Sequence, residues 1–499
     1  IVFHPSFPKL YCLPKIHKPN LPLRPIVSDL NSPLSKLSKH ISSILSKVTV
    51  LSKFNVSNSF DLAKNLKNFT IPSNSSFVSF DVISLFTNIP WDLALEAVSA
   101  RWNDIQPHTS IDLVWFKTIL NFIFVNTYFC FDDQFYSQIF GLPMGSSISP
   151  PVADLTLQIL ENFVLSNLSV PPHLYYRYVD DVLLCLDDSQ IVDTLDSFNS
   201  LNKHLQFTCE YESDDSISFL DLRITKNKVN NSVLTDWYQK PTWSGRYLNY
   251  LSFHSRSIKI SVIISLIDRA ILLSNSMFWE KNLTLIRSVL KDNSYPSHLV
   301  NNIINNRLIY LQTNSNNSFS PFCSNSIASS SAQYKGTICL PFLSNFSYFL
   351  KKLFSSEGFR LVFSFDNTFN CLFSVLKSRT PSDRVTDSVY RLDCNDCNLC
   401  YIGESSQYIY KRVNQHIYNS KNPNQFKTMF SDHMLNFNHT FNTSHPVILY
   451  IEKNSDLRKF AESFFISLNS SSCVNKRNSS HLLHDSYQIV IDFIKKTKN

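Results

Sequence analysis

Apolar side chains along this chain recur at two periods, and the changes from one to the other mark out its elements. Between Phe77 and about Ile224, short runs with alternating apolar positions interleave with longer runs repeating every three to four residues. That pattern predicts an α+β domain built around one central sheet. In SFVSFDVISLFTNIP, Phe77, Ser79 and Asp81 fall on one face of a predicted strand, and Val78, Phe80 and Val82 on the other. In RYVDDVLL, residues 177–184, apolar flanks without polar alternation predict a hairpin covered on both faces, with Asp180 and Asp181 at its turn. Before this domain comes a Pro- and Lys-rich stretch with strand-like pieces such as RPIVS, then a helical repeat from Leu34 to Leu51. Beyond it, residues 255–311 read mostly as helix and the polar residues 313–333 as a linker or long loop, while 340–380 is Phe-rich and expected to be ordered. From about Ser382 the pattern restarts as strand, turn, strand and helix, a separate small domain.

Two adjacent acids at the tip of a buried hairpin are costly unless a cation sits there. Asp81, at the end of a buried strand, supplies a third acid. Three carboxylates on neighbouring strand tips suit two Mg²⁺ ions, one acidifying an attacking 3′-hydroxyl and one clamping a leaving pyrophosphate. Between the acids, QIFGLPMGSSISP breaks the chain at Gly141, Pro143, Gly145 and Pro150 before a helix expected from Val152, and its small residues let backbone approach a base or nucleotide closely. Upstream, LPKIHKPNLPLRPIVS offers Lys15, His17, Lys18 and Arg24 to neutralise a triphosphate.

A second constellation lies in VYRLDCNDCNLCYIGESSQYIYKRVNQH. Tyr390 and Tyr401 fall on two short predicted strands, Tyr408, Arg412 and His416 recur every fourth residue on one helix, and Glu462 lies on another helix. Tyrosine as base, arginine on phosphate and glutamate on a divalent cation together suit phosphodiester hydrolysis. Cys394 and Cys397 with His433 and His439 form CxxC and Hx5H pairs suited to tetrahedral Zn²⁺, with Cys400 and His445 as alternates. Singly, each motif has an ordinary structural reading: a capped strand, a helix-capping loop, a solvated basic segment, an exposed helix face. Their conjunction is what points to chemistry.

Composition adds little. A net charge of +7 agrees with a polyanionic partner without requiring one, and 17% charged residues mark a globular chain. The 11 cysteines are mostly scattered, as expected of a reducing, intracellular protein. No signal peptide is visible, and the apolar stretch Ile260 to Leu273 is broken by Asp268 and Arg269, so no membrane partner is expected. The chain opens on Ile1 and not Met, as expected where an N-terminal piece is missing.

Taken together, LPKIHK with LRPIVS, SFDVISLFTNIP, GLPMGSSISP, RYVDD and YQKPTWSGRYLNYLSFH resemble the reverse transcriptase of Penelope-like retroelements over residues 8–310 or so. The resemblance implies a right-hand polymerase with partial fingers in 1–72, a palm in 73–230 and a thumb in 231–311. It further implies two Mg²⁺ at Asp81, Asp180 and Asp181, triphosphate contacts from Lys15 and Arg24, and a ring at Phe86 that blocks a ribose 2′-hydroxyl. Met144, next to Gly145 in the nucleotide site, stands where many relatives outside that family carry Gln. Residues 388 to about 477 resemble the GIY-YIG endonuclease domain that such elements carry behind their polymerase, although SVY replaces the Gly-Ile-Tyr of the name.

On that resemblance residues 312–381 connect the two parts, and 382–499 form a small α/β nuclease with a zinc-binding insertion. Tyr401 or Tyr390 activates water, Arg412 binds phosphate, His416 assists, Glu462 holds one Mg²⁺ and Asn475 supports the site. Cys394, Cys397, His433 and His439 hold Zn²⁺. The implied function is an RNA-directed DNA polymerase with a DNA-nicking domain, for target-primed reverse transcription and integration. Its partners are an RNA template, a DNA primer or target and deoxynucleoside triphosphates, met in the nucleus. Two rival readings are a decayed or domesticated copy that binds nucleic acid without catalysis, and a telomerase-like polymerase that extends DNA ends.

Overall fold

The computed structural model describes residues 7–16, 20–49, 52, 54–132, 134–313, 334–365, 382–421, 428–475, 483 and 486–498. The chain divides into two units, residues 1–376 and 377–499. The first begins with β1 (Lys9–Pro14), β2 (Leu23–Ser28), α1 (Ser35–Thr49), α2 (Ser59–Leu66) and β3 (Ser75–Val82). Then come α3 (Leu85–Asn88), α4 (Trp91–Ala100), α5 (Trp102–Ile105), α6 (Leu113–Val125), β4 (Tyr128–Phe131), β5 (Gln134–Ser137) and α7 (Ser149–Asn167). The hairpin β6 (Leu174–Tyr178) and β7 (Asp181–Asp187) leads to α8 (Ile191–Leu201), β8 (Phe207–Tyr211), β9 (Ser216–Phe219), β10 (Leu222–Lys226) and β11 (Val233–Trp237).

Four of these strands form an antiparallel sheet in the order β6-β7-β3-β8. Its two faces explain the unbroken apolar flanks. Val78, Phe80, Val182 and Leu184 face a core shared with α1, α4, α6, α7 and α8, whereas Phe77, Leu183 and Cys185 face a second core shared with α2, β9 to β11 and the helices that follow. A second sheet, in the order β2-β1-β4-β5, carries the N-terminal hairpin. Two details differ from the sequence reading. The hairpin turn is Val179–Asp180, and Asp181 is already the first residue of β7, paired with Tyr178. Helix α7 begins at Ser149 and not at Val152, because Pro150 and Pro151 sit in the first turn, where no N–H is needed.

Three helices follow, α9 (Arg256–Leu272), α10 (Trp279–Asp292) and α11 (Ser297–Thr313), and a bidentate pair between Arg307 and Asp268, at 2.7 and 2.8 Å, locks α11 to α9. The Phe-rich stretch holds a β-α-β unit: β12 (Gly336–Pro341), α12 (Ser344–Ser356) and β13 (Phe359–Ser364), with β12 and β13 parallel. Most of the polar linker, residues 314–333, lies outside the described residues.

In the second unit, β14 (Ser388–Asp393) is the centre of a three-stranded sheet, flanked by β15 (Cys400–Ser405) and, later in the chain, β16 (Val447–Ile451), both antiparallel to it. Helices α13 (Ile409–Lys421) and α14 (Met429–Phe437) fall between β15 and β16, and α15 (Ser455–Leu468) and α16 (Ser486–Lys498) follow. Tyr390, Leu392, Ile409, Val413 and Phe430 make its main core. Among the described residues, no helix is long and apolar enough to cross a membrane.

Candidate functional site

A cleft of 1480 Å³ opens over the edge of the β6-β7-β3-β8 sheet. Lys15, Arg24, Asp81, Phe86, Met144, Gly145, Asp180 and Asp181 all line it, so these eight candidates, spread over about 170 residues of sequence, reach one space. The fold explains how. Pairing of β3 with β7 puts Asp81 opposite Asp181, and the Val82 N–H donates to the Asp180 carbonyl at 3.2 Å. Phe86 lies one residue into α3, directly after β3. Arg24 lies on β2, and Lys15 follows β1, its N–H bonded to the Pro22 carbonyl at 2.9 Å. His17 and Lys18 lie outside the described residues.

Electrostatics ties the cations to the acids. Burial pushes the Asp180 carboxyl above its usual range; its own backbone N–H opposes this, the Asp81 charge adds to it, and Arg24 and Lys15 pull it back down. Val179, before Asp180, has φ +58°, a left-handed backbone that costs a β-branched residue strain.

Gly145 has a structural reason that the sequence did not disclose. At φ +118°, an added Cβ would stand 2.3 Å from the Val27 carbonyl oxygen, and the Met144 carbonyl accepts the Val27 N–H at 2.8 Å. The close approach expected of a base or nucleotide is made on that side by strand β2. The cleft also receives Asn58, Ser59, Glu210, Tyr238 and Lys240, which sequence reasoning missed. Tyr238 and Lys240 did lie in the quoted YQKPTWSGRYLNYLSFH, whereas Glu210 reaches the cleft through its strand face, shared with Thr208, the register partner of Asp81.

In the second unit, Tyr390 and Tyr401 lie on adjacent strands, paired with Gly403 and Leu392 respectively, with ring centroids 6.5 Å apart. The Tyr390 hydroxyl meets His416 Nε2 at 3.1 Å, and Thr428 Oγ1 lies 3.4 Å from His416 Nδ1. Burial, with the Arg412 charge behind it, lowers His416 to about 3, so the imidazole is neutral and its ring nitrogen can accept a hydrogen bond from the Tyr390 hydroxyl. Burial raises both tyrosines above the usual phenol range. A Cβ on Gly403 would press on the Tyr390 hydroxyl at 3.0 Å. Arg412 and His416 share α13, whereas Tyr408 precedes its first residue.

Glu462 on α15 accepts the Glu404 N–H at 3.1 Å. Burial, then the Glu404 charge, push its carboxyl up to about 7. Glu404, which sequence reasoning missed, is held by Arg458 Nε at 2.6 Å. Asn475 clamps Ile402 at both ends, donating to its carbonyl at 2.9 Å and accepting its N–H at 3.0 Å.

Cys394, Cys397, His433 and His439 converge, with one donor atom from each within 4.8 Å of the others. Cys394 Sγ lies 3.7 Å from His439 Nδ1, Cys397 Sγ 3.6 Å from His433 Nε2, and the two ring nitrogens 3.2 Å apart. A tetrahedron with metal–sulfur bonds of about 2.3 Å and metal–nitrogen bonds of about 2.0 Å has S···N edges of roughly 3.5 Å, so the set fits such an ion. Cys400 pairs instead with Cys473 across a parallel bridge, and neither it nor His445 belongs to the cluster.

An antiparallel sheet covered on both faces thus carries three carboxylates at its strand ends, with two cations across the cleft. Residues 16–245 match the reverse transcriptase (RNA-dependent DNA polymerase) family, and residues 246–305, spanning α9 and α10, match the animal helix-turn-helix domain. The chain thus carries a reverse transcriptase domain. Among solved structures it is similar to telomerase from Candida albicans, at 15% identity and a TM-score of 0.43 over 62% of this chain and 61% of that one. Telomerase from Candida tropicalis follows, at 14% identity and a TM-score of 0.39 over 64% and 56%. The RNA-dependent RNA polymerase of a human picobirnavirus gives 11% identity and a TM-score of 0.39 over 55% and 53%. The chain therefore matches about three fifths of the first structure's length. No curated protein matches it.

Proposed function

We propose that the chain is an RNA-directed DNA polymerase joined to a GIY-YIG DNA-nicking domain of the Penelope-like kind, serving target-primed reverse transcription and integration. The observation that carries the polymerase half is the gathering of Lys15, Arg24, Asp81, Phe86, Asp180 and Asp181 in one cleft. Three carboxylates crowded at buried strand ends, one of them pushed up by burial and by its neighbour, are a donor set that hard divalent cations relieve. Two Mg²⁺ ions held by Asp81, Asp180 and Asp181 would acidify the primer 3′-hydroxyl and stabilise the leaving pyrophosphate. Lys15 and Arg24 bind the triphosphate, and Phe86 packs against the sugar at C2′, selecting deoxynucleotides. The primer oxygen bonds to the α-phosphorus as the bond to the β-phosphate breaks. Helices α9 to α11 serve as the thumb.

The nuclease half is supported by the Tyr390–His416 hydrogen bond. Neutral His416 Nε2 holds the Tyr390 hydroxyl at 3.1 Å, so that Tyr390 orients and activates the attacking water. Arg412 binds the scissile phosphate. Glu462, half-buried beside Glu404, fits a divalent cation that would supply further charge stabilisation there. The Cys394, Cys397, His433 and His439 set fits Zn²⁺, which would staple β14 to the α14 segment.

The test supplies supercoiled plasmid, an RNA template and deoxynucleotides. New DNA covalently continuous with a nicked plasmid strand, lost in Arg412→Ala, supports the reading. DNA joined equally by the wild-type chain and by Arg412→Ala to the ends of linearised plasmid, with none on supercoiled plasmid, would favour extension of existing ends.

A further inference from the structure

Among the described residues, Arg177 is the bulkiest of the side chains almost wholly withdrawn from solvent, at 1% exposure. A guanidinium is kept there by ion pairing. Its Nε meets Glu161 Oε1 at 2.5 Å and its Nη2 meets Asp154 Oδ1 at 2.6 Å, both on α7. Those carboxylates are themselves held: Tyr175 donates to Glu161 at 2.8 Å, and Asn55 to Asp154 at 3.0 Å. The Arg177 backbone is fixed as well, its N–H bonded to the Phe54 carbonyl at 2.8 Å and its carbonyl to the Val56 N–H at 3.0 Å. What remains is the Nη1 edge, and it donates to the Val179 carbonyl at 3.2 Å.

Val179 is the strained residue of the two-residue turn that carries Asp180. The next carbonyl, of Asp180, is held by the Val82 N–H beside Asp81. Both carbonyls of the turn are therefore tethered, one to the strand with the opposing acid and one to a buried ion network on α7. We propose that Arg177 is a positioning residue for polymerisation: it holds the Val179 peptide in its left-handed conformation and so aims the Asp180 carboxylate into the cleft. The inference rests on the polymerase reading of that cleft.

Arg177→Lys keeps the charge but loses the fork that reaches both carboxylates and Val179 together. The triple variant Arg177→Met, Glu161→Gln and Asp154→Asn removes the guanidinium together with both of its carboxylate partners, so that no charge is stranded, and it serves if the lysine variant does not fold. The expected result is a fall in kcat of about 100-fold with KM for deoxynucleotide little changed. Amide exchange over residues 178–182 should quicken about tenfold while α7 keeps its protection. In a Val179→Gly background, where φ +58° carries no strain, the loss caused by Arg177→Lys should shrink to a few-fold. An equal loss in both backgrounds, or unchanged exchange at the turn in a folded variant, overturns the proposal. If the wild-type chain makes no DNA but exchange at the turn responds as expected, the polymerase reading fails and the tethering role stands.

Discussion

Asp81 and Asp181 stand directly opposite one another, register partners on the antiparallel pair β3 and β7. Each sits at a strand end whose neighbours are buried on both faces, so neither carboxylate can be moved without moving the sheet. Replacing Asp180 or Asp181 by Asn removes the charge and leaves the shape. DNA synthesis should fall by about 10³-fold or more while plasmid nicking continues, measured on the same preparation. Loss of both activities would contradict two separate sites.

Phe86 presents its ring to the cleft from the first turn after β3. Phe86→Ala should leave deoxynucleotide incorporation largely intact and raise ribonucleotide incorporation by about 10- to 100-fold, the range that one shape-excluding contact provides. Parallel extension assays with the two nucleotide sets give the ratio, and an unchanged ratio removes the ring from that role.

Gly145→Ala meets both a forbidden φ and the Val27 carbonyl. The loop must shift off β2, at a cost of about 1–3 kcal/mol, seen as a lower melting temperature of the polymerase unit. Ala at Gly336, where the nearest atom is the Phe359 ring at 3.7 Å, should cost far less and is the control.

The Cys394, Cys397, His433 and His439 cluster should hold about one zinc per chain, since its edges match the tetrahedron. Elemental analysis of the full chain checks this, and Cys394→Ser should lose the metal and loosen β14 and α14 in hydrogen exchange. Zinc-free native protein would remove the claim.

His416 makes the second unit acid-sensitive. Burial holds its folded pKa at about 3, below the ordinary value of 6.5, so the unfolded chain takes up the proton first as pH falls. This contribution is complete above about pH 6.5 and is lost progressively on the way down towards pH 3. The protection factor at peptides carrying Tyr390, with exchange corrected for its intrinsic pH dependence, should therefore fall on going from pH 7 to 4, and His416→Gln should flatten that dependence. A slope unaltered by the substitution would assign it to other groups.

Much of the central sheet was legible because its signals are local. Alternation in SFVSFDV and the apolar flanks of RYVDDVLL report a sheet buried on both faces, and the two cores lie on those faces. The turn was misplaced by one residue because register is set by pairing with β3, a partner about 100 residues away. The start of α7 was set too late because Pro150 and Pro151 read as breakers, although the first turn tolerates them. Gly145 was legible as special but not as to why, since Val27 is remote in sequence. Arg177 and Glu404 gave no warning: a charged residue in a strand looks the same whether it meets water or a buried partner, and only the packing of α7 and α15 decides. The β-α-β unit at 336–364 escaped because its Phe-rich strands and helix show neither period cleanly.

The central claim is that the cleft copies RNA into DNA. Primer extension on poly-rA with oligo-dT and Mg²⁺, run with the intact chain and with Asp181→Asn, tests it most directly. Extension by the intact chain that vanishes in the variant is the predicted result. Folded protein that extends nothing, or extension that survives in Asp181→Asn, would contradict it.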